Sequence, residues 1–241
     1  MRRQSQRGRG PISPDRTWEP DVRRRMGRGV SRRPDTLTDW DGYESFQPVV
    51  VGPLNRLTRN EALEVFRQRM DAKPDRIEML KGLLEANGVE LGTSDRAVQR
   101  LNDWFAASVE ADPEQPGRLG PRWYSVANDL ALFLGDVMIE RHPLLHWEFF
   151  TWGKSNAAYQ RHVVMGFSTE DTKFHTSIDI DRMVAGYAHR LVASQGSVAR
   201  LGSVEVRGVT IDLDAAVTRA GGVGLEANTF VSWLHMAGAR A

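Results

Sequence analysis

The sequence predicts an α+β fold: about six helices packed on a small, mostly antiparallel sheet, preceded by a disordered basic arm. Apolar residues recur at helical spacing through most of residues 58–141 and again from residue 178. Two short aromatic-rich runs, 144–151 and 159–167, flank a segment of Gly, Ser and Asn, which is typical of a β-hairpin. The amino terminus differs from both, because residues 1–35 hold eleven arginines, four acids and almost no aliphatic side chains.

The composition predicts a cytoplasmic protein that does not enter a membrane. Hydrophobic residues make up 41% of the chain and charged residues 26%, as is ordinary for soluble globular proteins. No run approaches the roughly 18 consecutive apolar residues of a membrane span. The absence of cysteine excludes disulfides, thiolate metal sites and cysteine nucleophiles. No phosphate-binding loop, dinucleotide fingerprint, nucleophile elbow or HExxH motif is present, so we predict no catalytic residue and no cofactor.

Charge divides the chain into an arm, residues 1–35, and a single globular domain, residues 36–241. The arm has a net charge of +7, and because the whole chain has +1, the domain has −6. A segment so poor in apolar surface cannot offset the entropy of ordering, so we expect it to be disordered. Its arginines would bind nucleic-acid phosphates through counterion release. The candidates are Arg2, Arg3, Arg7, Arg9, Arg23, Arg24, Arg25, Arg28, Arg32 and Arg33. The alternatives are a solvated tail and a start codon at Met26.

Three amphipathic helices are predicted between residues 58 and 109. Thr58 and Glu61 have the spacing of a capping box, and the first helix is expected to end before Pro74. Pro74 would then open a second helix that runs to Asn87. A third begins at the cap around Ser94. Before them, Val49–Val51 suggests a short edge strand.

The helix from Trp123 to Arg141 is predicted to be central, because it is apolar around most of its circumference. Gly135 would allow another element to approach it closely. Asp129, Asp136 and Glu140 share the remaining side, which we interpret as a solvated face.

The hairpin carries the densest polar cluster of the globular part. Its first strand is apolar on both faces, which predicts an interior strand covered on both sides. His146 and Glu148 share one strand face, and with His162 on the facing strand they would suit zinc or another divalent ion. The alternative is that these are ordinary polar groups among aromatic neighbours. Asp179 and Asp181 are interpreted as caps of the helix that follows.

The carboxyl-terminal third predicts smaller elements. Residues 204–211 suggest a strand or a pair of strands interrupted near Gly208, followed by a short helix over 212–220 and a last helix over 225–236.

The pattern of a Gly-bearing helix followed by a Trp-bearing strand resembles small uncharacterised domains common in actinomycete genomes. The resemblance starts at the helix after Thr93, and it implies an actinobacterial origin and an α+β fold but transfers no catalytic residue. The matching residues are Asp129, Leu130, Leu134, Gly135, Asp136, Pro143, Leu145, Trp147 and Glu148.

Three functions follow as hypotheses. The first is a non-enzymatic module that binds another protein, for which we expect an exposed apolar patch of Trp and Phe side chains. The second is a nucleic-acid-associated protein that uses the basic arm. The third is a metal-dependent enzyme built on His146, Glu148 and His162. The rim of the hairpin, residues 152–158 and Glu148, is the expected place for a binding function.

Overall fold

Five α-helices and two β-hairpins make up the described part of a computed structural model of the chain, which covers residues 38–47, 53–168, 176–196, 203–206, 209–212 and 227–241. This confirms the predicted α+β class. The helices are α1 (Arg59–Ala86), α2 (Asp95–Ser108), α3 (Pro121–Arg141), α4 (Ile180–Gly196) and α5 (Thr229–Gly238). The strands are β1 (His146–Phe149), β2 (His162–Met165), β3 (Ser203–Val206) and β4 (Val209–Asp212).

Helix α1 is one continuous helix of 28 residues, so the prediction of two helices divided at Pro74 is wrong. The predicted capping box is present, with the Glu61 amide donating to the Thr58 hydroxyl and the Thr58 amide donating to the Glu61 carboxylate. Proline removes one backbone donor from a helix interior. Residues on both sides of Pro74 hold α1 against the domain: Arg69 donates to Asp181 and to the Asn128 carbonyl, and Leu80 lies in the main buried cluster. Tertiary packing therefore outweighs the local cost, and the described residues contain five helices rather than about six.

Helix α3 is the centre of the fold, as predicted. Thirteen of its 21 residues are buried, and it packs against α1, α4 and α5. Gly135 faces the indole of Trp147, and a Cβ placed there would lie 2.1 Å from Trp147 Cζ2. The expectation that Gly135 admits a close neighbour is therefore confirmed.

Strands β1 and β2 pair antiparallel, with His146 opposite Met165 and Phe149 opposite His162. All four residues of β2 are buried, whereas His146 of β1 is exposed and the rest of β1 is half-buried. On its other edge β2 forms an isolated bridge between Val164 and Ile178. The prediction that the first strand is covered on both sides is thus wrong for β1, and the interior strand is β2.

The predicted pair of strands after residue 203 is present as the β3–β4 ladder. The basic arm, the strand at 49–51 and the helix at 212–220 lie outside the described residues, apart from Asp212, which ends β4. Among the helices that the structure describes, none combines the length and the apolar character that a membrane span requires.

Candidate functional site

The loop between β1 and β2, residues 150–161, is closed by its own backbone. We call it the hairpin loop. The Phe150 amide donates to the Arg161 carbonyl (2.9 Å), and the Gln160 amide donates to the Phe150 carbonyl (2.7 Å). Within the loop, the Asn156 amide donates to the Gly153 carbonyl (2.8 Å), where Gly153 adopts a φ of +64°. These bonds give a loop of twelve residues a defined course at both its neck and its tip.

Gln160 ties the hairpin loop to the rest of the domain. It is buried and adopts a φ of +62°, a left-handed conformation that is uncommon for a residue other than glycine. Its side-chain amide donates to the carbonyls of Leu54 (2.8 Å) and Leu57 (2.9 Å), in the turn that precedes α1. Such a conformation persists only where its surroundings fix it, and here two hydrogen bonds do so.

The hairpin loop displays one large apolar side chain. Trp152 is 47% exposed, and in the part of the chain that the structure describes only Leu144 (73%) and Tyr124 (42%) are other exposed large hydrophobics. Every other described tryptophan and phenylalanine is buried or half-buried, so the described residues present a single exposed indole rather than a broad aromatic patch. The inner side of the loop closes a small buried cluster of Phe150, Ala158, Val163 and Met165.

One face of the hairpin is fixed to α1 and α3 through Asp136. Trp147 Nε1 donates to Asp136 Oδ1 (2.8 Å), and Lys73 Nζ contacts both oxygens of the same carboxylate at 2.5 and 2.7 Å. The interpretation of Asp136 as part of a solvated helix face is therefore wrong. Its carboxylate instead joins three elements.

The base of β2 is fixed by a second, more deeply buried set of charges. His162 pairs with Asp181 through Nε2 and Oδ2, and Arg69 Nη2 donates to the other oxygen of Asp181 at 2.9 Å. Burial lowers the pKa of His162, which favours the neutral imidazole. Burial opposes the charge of Asp181 as well, but the Arg69 guanidinium holds the pKa of that carboxyl well below its usual range. Arg161, next to His162, pairs with Asp179.

These contacts agree with the interpretation of Asp179 as a helix cap and correct it for Asp181. Asp179 does accept from the Arg182 amide (3.1 Å), as a cap would. Asp181 lies one residue inside α4, is buried, forms an ion pair with Arg69 and contacts the imidazole of His162.

The three candidate metal ligands do not converge. His146 Nε2 lies 3.2 Å from Glu148 Oε2, so these two side chains do share a face of β1. His162 is opposite Phe149 and therefore projects from the other face, where it contacts Asp181 and the ring of Trp147. In the described residues, no group of three or more histidines and acids has the arrangement of a metal site.

A third buried charge cluster lies where residues 38–47 cross α1 and α3. Asp129, which is 1% exposed, accepts from Arg76 Nε (3.0 Å), Arg76 Nη2 (2.5 Å) and the Tyr43 hydroxyl (2.5 Å). The Phe46 amide donates to the Ser125 hydroxyl beside it (2.8 Å). Burial and the neighbouring Asp129 charge raise the pKa of Tyr43 above its usual range. Asp129, too, was wrongly interpreted as solvated.

The residues that sequence reasoning missed had one recognisable signal. Arg69, Lys73 and Arg76 follow one another at spacings of four and three on α1, and Asp129 and Asp136 are seven apart on α3. The basic face of α1 and the acidic face of α3 match the ion pairs between these helices, Arg76 with Asp129 and Lys73 with Asp136. Each buried carboxylate has a fixed cationic partner within the protein. The arrangement can therefore hold the hairpin in place and leave the loop as the part that is available to a partner.

The chain matches no protein-family model, and neither a curated protein nor a solved structure is significantly similar to it. The resemblance to small actinomycete domains stays a prediction. The ten candidate arginines of the basic arm lie outside the described residues.

Proposed function

We propose that this protein is a non-enzymatic interaction module that presents the hairpin loop, with Trp152 as its anchor, to another protein. The single observation that carries the proposal is an exposed indole on an ordered loop. Backbone hydrogen bonds fix this loop at its neck and tip, and Gln160 ties it to the turn before α1. Tryptophan is enriched among the residues that dominate binding energy at protein interfaces. A loop that is already ordered loses less conformational entropy when it binds.

The rest of the hairpin supports this assignment. Asp136 accepts from Trp147 of β1, Asp181 contacts His162 of β2, and Asp179 pairs with Arg161 at the end of the loop, so the hairpin that carries the loop is fixed to the helices. His146 and Glu148 lie on one face of β1 and His162 projects from the other, so the described residues do not form the metal site that the enzyme hypothesis requires. A binding role therefore agrees with the geometry better than the metal-dependent enzyme does.

The test compares two exposed apolar side chains. Three full-length baits are compared in lysate of the source organism: the wild type, Trp152→Ala and Leu144→Ala. Captured proteins are identified by mass spectrometry. Any captured protein is then produced in pure form and titrated against each bait. We expect Trp152→Ala to weaken that purified complex by at least about 30-fold, because truncation of an anchor residue costs about 2 kcal/mol or more.

Leu144→Ala is the matched control and should bind as the wild type does. Circular dichroism should show that both variants keep the wild-type fold, because neither side chain belongs to a buried cluster. Equal binding by all three proteins would remove the hairpin loop as the contact site.

A second proposal rests on the charge division of the sequence: the basic arm binds nucleic acid. Eleven arginines within 35 residues, in a chain whose remainder has a charge of −6, are typical of an electrostatic contact with phosphates. Binding to a duplex oligonucleotide should fall steeply between 50 and 200 mM salt and vanish when residues 1–35 are deleted. Binding that survives the deletion unchanged would refute it.

A further inference from the structure

Two segments of the chain meet at the end of the hairpin that carries Trp152. Gln160 donates to the carbonyls of Leu54 and Leu57, so the turn before α1 lies against the neck of the hairpin loop. Trp152 is two residues from Phe150, which bonds to Gln160, and two residues span at most about 7 Å. Trp152 and that turn therefore belong to one surface.

This surface is basic, whereas the domain around it is acidic. Residues 53–60 and 150–161 contain four cations and neither aspartate nor glutamate. One cation, Arg161, pairs with Asp179. The other three are Arg56, Arg59 and Lys154. All are exposed, and within the described part of the chain none of the three has an ion pair. We call these three cations together with Trp152 the basic patch.

The extent of the basic patch limits what it can bind. Glu61 and Glu64 are exposed on α1 directly after Arg59, and Glu148 lies on β1 just before the hairpin loop. A long polyanion that continued past the patch would run alongside these carboxylates at less than the screening length of about 10 Å in 0.1 M salt. A short acidic segment would lie beside fewer of these carboxylates and would therefore be repelled less.

We propose that the basic patch binds a short acidic segment of a partner protein, whose apolar side chain packs on Trp152 and whose carboxylates pair with Arg56, Arg59 and Lys154. This assignment names the partner chemistry of the interaction site and rests on the proposed function given above. Exposed ion pairs determine specificity and salt dependence more than affinity. The indole therefore provides most of the binding energy, and the three cations favour an acidic partner over a basic one.

The experiment follows the indole N–H signal of Trp152 by NMR in the full-length protein, with the signal assigned from Trp152→Phe. The probes are two twelve-residue peptides with the same central Leu-Phe pair, one flanked by glutamates and the other by lysines, and a single-stranded oligonucleotide. We expect the glutamate peptide alone to shift the signal, with an affinity that falls as salt is raised. Reading the indole itself separates this binding from any binding to the arginines of residues 1–35.

Two charge-matched variants complete the test. Arg56→Glu/Arg59→Glu/Lys154→Glu should lower the affinity for the glutamate peptide, read at the Trp152 indole, about tenfold or more. Each exposed ion pair contributes about two- to fivefold to that affinity. Arg96→Glu/Arg118→Glu/Arg240→Glu changes the net charge equally at exposed positions elsewhere and should lower the affinity for the glutamate peptide far less. Equal weakening by both variants would overturn the proposal, as would a signal shifted by both peptides or by neither. An oligonucleotide that displaces the glutamate peptide from Trp152 would overturn it in favour of a nucleic-acid surface.

Failure here is distinguishable from failure of the proposed function. If Trp152→Ala abolishes capture of a partner while the glutamate peptide leaves the indole unshifted, the interaction module stands and its acidic ligand does not. If the peptide binds but Trp152→Ala changes no partner complex, the patch is a real anion site and the interaction module fails.

Discussion

The base and the tip of the hairpin are held by different chemistry. At the base, β2 and its neighbours are fixed by the buried Arg69–Asp181 ion pair, by the contact of His162 with Asp181 and by the half-buried Lys73–Asp136 ion pair. At the tip, the hairpin loop is fixed by neutral hydrogen bonds of the backbone and of Gln160, and its indole is exposed. A buried charge that loses its partner costs about 3–5 kcal/mol, whereas a neutral hydrogen bond contributes about 0.5–1.5 kcal/mol. The base should therefore determine stability, and the tip should be able to change without unfolding the domain.

The largest expected effect comes from removing a charge at the base. Asp181→Ala leaves Arg69 buried without its carboxylate, and breaking a buried pair in this way costs about 3–5 kcal/mol. Urea unfolding followed by circular dichroism measures the loss. The control is Glu78→Ala, which breaks an exposed pair with Lys81 and should leave the free energy of unfolding almost unchanged. Equal midpoints for the two variants would contradict the contrast between buried and exposed pairs.

The next effect tests the packing of the base on α3. Gly135→Ala would place a Cβ 2.1 Å from the Trp147 ring, and such overpacking costs about 1–3 kcal/mol. Gly82→Ala in α1 is the matched control, because nothing lies within 4 Å of its Cβ position. That substitution should stabilise the protein by up to about 1 kcal/mol through helix propensity. Thermal unfolding of the two variants should therefore move in opposite directions, and a shift of the same sign in both would refute the close contact.

Much of this contrast could be predicted from the sequence, but only where the signal is local. The apolar periodicity of α3, the close approach at Gly135 and the Thr58 capping box all depend on residues near one another in the chain, and each is confirmed. The buried charges could not be found in this way. Arg76 is 53 residues from Asp129, and Arg69 is 112 residues from Asp181. An acidic residue beside an apolar stripe gives the same sequence pattern whether its carboxylate contacts water or an arginine from a distant part of the chain.

The candidate site was predicted in part for the same reason. Residues 152–158 were expected at the rim of the hairpin, and the loop lies there with Trp152 exposed. The face on which His162 lies depends on strand register, since a shift of one residue exchanges the two faces. The sequence pattern did not specify the register, because both faces of the first strand are largely apolar. The continuity of α1 through Pro74 likewise depends on tertiary packing, which the local sequence does not reveal.

A smaller effect should appear as a pH dependence of the base. Burial lowers the pKa of His162 in the folded protein, so between that value and the unfolded value of about 6.5 the unfolded chain binds more protons. The free energy of unfolding should therefore fall as pH drops below about 6.5, by at most about 1.4 kcal/mol per pH unit. Urea unfolding between pH 7.5 and 5 measures the slope. His162→Gln should remove this contribution, and His146→Gln, at an exposed position, should keep it. A slope that is the same in both variants would assign it to other groups.

The smallest effect concerns the tip and completes the comparison. Gln160→Ala removes two hydrogen bonds to the carbonyls of Leu54 and Leu57 and keeps a side chain at a left-handed φ. Neutral bonds contribute about 0.5–1.5 kcal/mol each, and water can reach part of the vacated site beside exposed loop residues, so we expect a net loss of about 1 kcal/mol. Hydrogen exchange should show faster exchange confined to residues 150–161, with β2 unchanged, because the ion pairs at the base are intact. Exchange that rises equally in β2 would mean that base and tip unfold as one unit.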